Sequence, residues 1–552
     1  MPNIKITELP VVTSLISSDV FPVVASGVTS QISEANLASA LGGVISVAGT
    51  SIFSSGSVVG TSEFSTNNSI FLGVNAGQNA TNANTSNFLG SQAGYNATNA
   101  YNSNFLGYNA GINSTYAHNS NFIGNSAGQN ATSASTSNFL GNGAGYNATN
   151  AYTSNFIGRY AGQNATNANT SNFLGSYAGD NATNAYTSNF LGVGAGYNAT
   201  EANNSNFIGN NTGNGATSAS NSNFIGSSAG QNATNANTSN FLGQNTGNGA
   251  TNAYTSNFLG NGAGYNATEA NNSNFLGHNT GNGAASASNS NFLGNSAGQN
   301  ATNANNSNFL GSQAGYIATN AYTSNFLGSS AGYNATNAYN SNFIGQNTGN
   351  GATSASNSNF LGSSAGQNAT NAYTSNFLGS SAGYNATNAN NSNFLGSQAG
   401  QNATNAYNSN FIGQDAGYFA TSASYSNLIG YGAGQNNNFP SNGIGSNNII
   451  IGTSITLPDN YANGLNIGGL IFGSGSYNSI NTPSSGSANG KIGINQPNPR
   501  YALDVSGSIN ASGSLITYQQ AQPNNPVPGQ IYFDNNTHFY GWNGSAWKQL
   551  DN

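Results

Sequence analysis

The chain has 552 residues, only 3% of them charged, against about a quarter in ordinary globular proteins, and its net charge is −7. Its five cations, Lys5, Arg159, Lys491, Arg500 and Lys548, are scattered, which argues against the basic patch a nucleic-acid partner requires. The absence of Cys excludes disulfides and thiolate metal sites. Disorder usually accompanies high net charge and few aromatics, whereas 29 Phe and 28 Tyr recur here at regular spacing among 74 Gly, as in a repeat protein.

Residues 1–45 differ from the rest. Met1-Pro2-Asn3-Ile4-Lys5 lacks a basic segment followed by an apolar core, so synthesis in a cytoplasm without a secretory leader is expected. No apolar run nears the roughly 18 residues that span a bilayer, so no membrane insertion is expected. Short apolar runs around Ile4, Ile6, Val11, Val12, Val20 and Val23 are broken by Pro10 and Pro22. Ser33 is placed to cap a short helix, Glu34 to Leu41, stopped by Gly42-Gly43. The pattern Ile6-Thr7-Glu8-Leu9-Pro10, Asp19-Val20-Phe21-Pro22-Val23-Val24, Gly27-Val28-Thr29 and Leu37 resembles the N-terminal module of phage tail-fibre and virion appendage proteins. That resemblance implies that residues 1–45 attach the chain to virion tail or baseplate proteins; a small capping domain is the plainer alternative. Residues 46–70 read as a Ser/Gly-rich transition.

Residues 71–436 carry 22 consecutive copies of a 17-residue unit, the last cut short, with no insertion or deletion. Phe recurs at Phe71, Phe88, Phe105 and onward to Phe411, and the last copy has Leu428 instead. Each copy reads Phe, Leu or Ile, Gly, two variable residues, Ala or Thr, Gly, then an Asn/Ala/Thr/Ser-rich remainder; the glycines at Gly73 and Gly77 hold in every copy. Strict length means every copy fills an identical slot. One coil of a parallel β-solenoid is the simplest such slot, with coils about 4.8 Å apart and a shaft on the order of 105 Å. The two glycines suit turns with positive φ or close backbone approach. Asn, Thr and Ser in register suit hydrogen-bonded ladders, and Phe suits an aromatic ladder. No Pro occurs between Pro22 and Pro440, as expected where every N–H joins a ladder.

Successive strand residues face opposite ways, so Phe71 and Leu72 put apolar groups on both faces. One fills the coil; the other leaves a long Leu/Ile stripe, which predicts burial against identical chains. Kinking at Gly73, which would turn both inward, is the alternative. The Gly- and Asn-rich short coils look like the heads of trimeric autotransporter adhesins, and the triple β-spiral of viral fibres is another trimeric possibility. Those resemblances imply an all-β parallel β-solenoid (β-roll) that assembles as a homotrimer.

After Asn436 the register fails at Asn437-Asn438-Phe439-Pro440. Residues 437–510 read as an irregular β neck, with Ile449-Ile450-Ile451 among its strands. Ile492-Gly493-Ile494 and Pro499 to Ile509 resemble a segment near the C-terminus of tail fibres. Residues 511–552 read as β-hairpins turning at Asn535-Asn536 and Asn543-Gly544. They resemble small terminal modules of tail fibres. Tyr532, His538, Phe539, Tyr540, Trp542 and Trp547 are candidate contacts to a host surface glycan or protein, or else the core of a small plug.

No catalytic constellation, cofactor motif or metal site is evident. A glycosidase needs a pair of carboxylates close together, but Glu201 and Glu269 stand at equivalent positions four coils apart. His118 and His278 are isolated, and Asn79-Ala80-Thr81, though a glycosylation acceptor triplet, suits a ladder. The expectation is a non-enzymatic structural fibre of a phage tail or similar virion appendage, with a cell-surface trimeric adhesin and an ice-binding solenoid as alternatives.

Overall fold

A computed structural model describes residues 68–435, 443–475, 490–513, 521–534 and 538–551, together with the backbone of four earlier strands. Those four form two antiparallel pairs, Val20–Ala25 with Val28–Ser33 and Val44–Val47 with Thr50–Phe53. The expected helix at 34–41 lies outside the described residues. The chain divides into two compact units, residues 1–462 and 463–552.

In the first unit the 17-residue copies are coils of a parallel β-solenoid. Each contributes one three-residue strand, from Ile70–Leu72 to Asn427–Ile429, paired parallel and in register with the strands of the coils on either side. The stack runs one coil beyond the repeat. Ile449–Ile451 pairs with Asn427–Ile429 although 22 residues separate Asn427 from Ile449. This strand, read from sequence as part of an irregular neck, opens a twenty-third coil after a five-residue insertion. Steps of about 4.8 Å make the shaft on the order of 100 Å long.

Numbering each copy from its Phe as rank 1, five ranks point inward: Phe at 1, Ala or Thr at 6, Ala at 10 and 13, and Ser at 16. From the second coil on, the Phe side chains are fully buried. Successive rings stack nearly parallel at 4.7–4.9 Å (Phe88 on Phe105, Phe309 on Phe326, Phe343 on Phe360), with one edge-on step at Phe360–Phe377. One Phe and a few Ala fill each coil, so the interior is thin and tolerates no added volume. An ideal Cβ on Gly94 would sit 2.3 Å from the Phe88 ring, and one on Gly90 would sit 2.4 Å from the carbonyl oxygen of Gly107 in the next coil. Both glycines also have positive φ, as expected from the sequence.

Between strands the chain turns almost continuously. Ranks 3, 5, 7, 9, 12 and 15 all have positive φ, for example Gly73, Asn75, Gly77, Asn79, Asn82 and Thr85. Left-handed backbone costs an ordinary L-residue about 1–2 kcal/mol, and Gly and Asn adopt it most readily. This explains the Asn content as much as the ladders do. Asn at rank 17 also forms a side-chain ladder along the sheet: Asn87 donates to Asn104 at 2.7 Å, Asn240 to Asn257 at 2.8 Å and Asn410 to Asn427 at 2.8 Å.

The buried Ser at rank 16 links coils where the backbone alone does not. Ser290 Oγ accepts the N–H of Ser307 at 2.9 Å and donates to the carbonyl of Ala304 at 2.5 Å. Ser290→Ala strands both groups in the interior, and each buried unsatisfied group costs about 1–3 kcal/mol. The expected loss is about 2–4 kcal/mol, read as a lowered urea midpoint for the full chain.

Asp180 is the one carboxylate among the described residues of the shaft that is buried. It stands at rank 8, between Gln163 and Tyr197, with Oδ1 unpartnered. Burial pushes its carboxyl up to about 6, opposed by a hydrogen bond from the Asn181 backbone N–H. Folding therefore takes up a proton between the ordinary carboxylate range and pH 6. The contribution to stability is full below that window and is lost as pH rises through it. Asp180→Asn is expected to raise the urea midpoint at pH 7.5 and leave it unchanged at pH 3.5.

Candidate functional site

In the second unit, Gly464–Ile467, Ile471–Ser474 and Lys491–Ile494 form an antiparallel run, and Leu503–Val505 adds parallel to the last of them. A separate three-stranded antiparallel sheet is formed by Ile531–Phe533, Phe539–Trp542 and Trp547–Gln549. The expected hairpin at Asn543-Gly544 is present: Asn543 Oδ1 accepts the N–H groups of Ser545 and Ala546 at 2.9 and 2.8 Å, and Gly544 supplies positive φ. The Asn535-Asn536 turn lies outside the described residues.

All six candidate contact residues fall in or beside this small sheet. Its register pairs Tyr532 with Tyr540 and Trp542 with Trp547. Alternation then places these four on one face and Phe533 with Phe539 on the other. On the first face Tyr532 stacks on Tyr540 at 5.2 Å and meets Trp547 edge-on at 4.6 Å, and Trp542 tilts against Trp547 at 5.5 Å. On the opposite face Phe533 and Phe539 are 4.8 Å apart.

The residues divide by exposure. Tyr532 is buried, and burial, then Tyr540 and Asp534, raise its phenol above the ordinary value. It supports the sheet and does not offer a contact. Tyr540 and Trp547, on the same face, pack against it. Tyr540, Trp542 and Trp547 are half-exposed, and Phe539 is exposed. His538 Nδ1 lies 3.1 Å from Gln549 Nε2 and 3.7 Å from Asp551 Oδ1, so the edge beside the aromatics is polar. The arrangement offers flat half-exposed rings beside hydrogen-bonding groups, which suits non-covalent contact.

On the shaft, Phe faces in and the Leu or Ile at rank 2 faces out. Leu89, Leu106 and their equivalents are half-buried, and Ile123, Ile157 and Ile412 are each 39% exposed. With the rank-17 Asn they line shallow grooves along the sheet, as at Ile344, Leu361, Leu378 and Leu395. Ladder residues Phe71, Leu72, Gly73, Gly77, Phe88 and Phe105 thus occupy defined inner, outer and turn positions. Among the described residues no cluster of three or more His, Asp or Glu side chains could hold a metal ion. Glu201 and Glu269 both project outward at rank 12, about 19 Å apart at four coil steps. Among the described residues no helix is long and apolar enough to cross a membrane. Comparison with protein-family models, with curated proteins and with solved structures finds no match to this chain.

Proposed function

We propose that this chain is a structural fibre of a phage tail or similar virion appendage, acting by adhesion without catalysis. Residues 1–45 attach it to tail or baseplate proteins, the repeat shaft sets reach and stiffness, and the C-terminal sheet contacts a host surface glycan or protein. The observation that carries this reading is the shaft: 22 coils in one unbroken register, which add length without changing cross-section. The half-exposed rings of Tyr540, Trp542 and Trp547 support the contact role. The continuous outward Leu/Ile rank supports a homotrimer, because soluble monomers rarely expose an apolar stripe of that extent. Three copies would then present three sheets and gain avidity.

Immunogold electron microscopy of purified virions, with antibody against residues 521–551, tests the reading. Label at the free ends of tail appendages is the expected result; virions that lack the chain by mass spectrometry would overturn it. Label on the surface of cells in place of virions would favour the adhesin. Sedimentation equilibrium tests the assembly separately: three times 55.7 kDa is expected, and a mass of 55.7 kDa sinks the trimer.

A further inference from the structure

Along the side of the shaft formed by ranks 12 and 14, a groove runs parallel to the coil axis. Between residues 116 and 203 it encloses about 740 Å³, lined among others by Tyr116, His118, Asn150, Tyr152, Asn167 and Tyr186. The same two ranks line a further stretch from Glu201 to Ser288, including Asn235, Asn252 and Tyr254. The rank-14 rings are well presented: Tyr152, Tyr186 and Tyr254 are 50%, 49% and 51% exposed. They recur at intervals of one to four coils. Tyr152 and Tyr186 are two coils apart, as are Tyr339, Tyr373 and Tyr407, which is about 9.5 Å at sheet spacing. Between them stand small polar residues, such as Asn169, Ser356 and Asn390.

We propose that this groove binds a neutral polysaccharide, an extended chain of pyranose rings lying along the shaft. Exposed Tyr faces suit the C–H faces of sugar rings, and each phenol adds a polar tip. Rank 12 supplies the hydrogen bonds. Asn150 donates to Asn167 at 2.8 Å and Asn167 on to Asn184 at 2.7 Å. Each such ladder amide uses one N–H and one lone pair, which leaves one of each for a hydroxyl outside. Where two rings stand two coils apart, as at Tyr152 and Tyr186, their spacing is close to the advance of one disaccharide in an extended 1,4-linked chain. Charge decides against polymeric anions. The ionisable groups along the described stretches are His118, Glu201 and Glu269 besides the tyrosines. A polynucleotide needs a positive groove, and the two glutamates repel acidic polysaccharides. A track that repeats every few coils fits a ligand that also repeats, and binding strengthens with ligand length as successive sites engage.

The test is affinity electrophoresis of the full chain through gels containing galactomannan, xyloglucan, arabinoxylan or glucomannan, with alginate as the acidic control. Retardation by at least one neutral polymer and none by alginate is expected. The key variant carries Asn at every rank-14 Tyr. Asn already occupies this rank at Asn169, Asn203 and Asn237, so the coils accept it; an unchanged thermal transition checks this. Its affinity is expected to fall about tenfold or more. Trp542→Ala is expected to retain the retardation, which separates the groove from the C-terminal sheet and from the fibre reading. No retardation by any of the four neutral polymers overturns the proposal, as does retardation lost with Trp542→Ala but kept by the rank-14 variant. A rank-14 variant with altered sedimentation mass would assign the groove to contacts between copies and equally overturn it.

Discussion

Gly226→Ala is expected to break the shaft at one point. Gly226 has a φ of +128°, and an added Cβ would sit 2.4 Å from the carbonyl oxygen and 2.7 Å from the carbonyl carbon of Gly243. Both contacts are backbone, so no rotamer change relieves them. The coils would have to separate, yet Gly226 N–H donates to Ile208 at 2.8 Å and its carbonyl accepts from Thr212 Oγ1 at 2.5 Å. A strained φ, a backbone clash and two threatened inter-coil bonds together give an expected loss above about 4 kcal/mol. Ser227→Ala, next door and exposed, should stay within about 0.5 kcal/mol. In a stack where each coil touches only its neighbours, the damage stays local. Urea unfolding of the variant should therefore separate into two transitions, one for the coils on each side, with a new protease-sensitive point near residues 226–243. A single transition within 0.5 kcal/mol of the parent would show that the coils can separate at little cost.

The fold was legible because the same property repeats. Phe88 and its equivalents recur at a constant interval, and only stacked coils make constant length a requirement. The roles of individual polar residues were harder to read. Asn75 and Asn79 look like ladder residues, but a left-handed turn selects Asn too, and composition does not separate the two demands. Ser86 reads as a ladder residue, but its burial was not legible: its hydroxyl supplies the partner that the Ser103 N–H and the Ala100 carbonyl would otherwise lack. Ile449 escaped the count because a five-residue insertion moves it off the interval, although the slot it fills is unchanged. At the C-terminal sheet, sequence gathered the aromatic residues but not their exposure. Tyr532 is buried because both Tyr540 and Trp547 pack on it, whereas Phe539 lies on the opposite face against Phe533. The recurring Tyr at rank 14 was in the sequence too, but not its exposure along one side of the shaft.

Deleting residues 201–268 is expected to shorten the shaft by four coils, about 19 Å, and leave it folded. The deletion joins Thr200 to Glu269, and Glu201 and Glu269 hold the same rank with φ of 51° and 50°. The joined segment, from Asn198 to Thr200 and then from Glu269 to Phe275, repeats the native order Asn-Ala-Thr-Glu-Ala-Asn-Asn-Ser-Asn-Phe, so no new local conformation is required. The urea midpoint should hardly move, while the denaturant slope falls with the lost buried surface. Deleting only residues 209–216, which keeps the strand Asn206–Ile208, should behave in the opposite way. It carries Phe224 from rank 1 to rank 10, a slot sized for Ala, and moves every inward residue of that coil out of line with the coil before it. A five-residue insertion between Asn427 and Ile449 leaves the strands paired, so added length is accommodated there. Missing residues have no such remedy, since the perimeter is already set by the Phe ring against Gly. Particle lengths by negative-stain electron microscopy and urea midpoints for both deletions decide the matter. A normal midpoint after the eight-residue deletion would mean that constant repeat length is not what holds the coils in register.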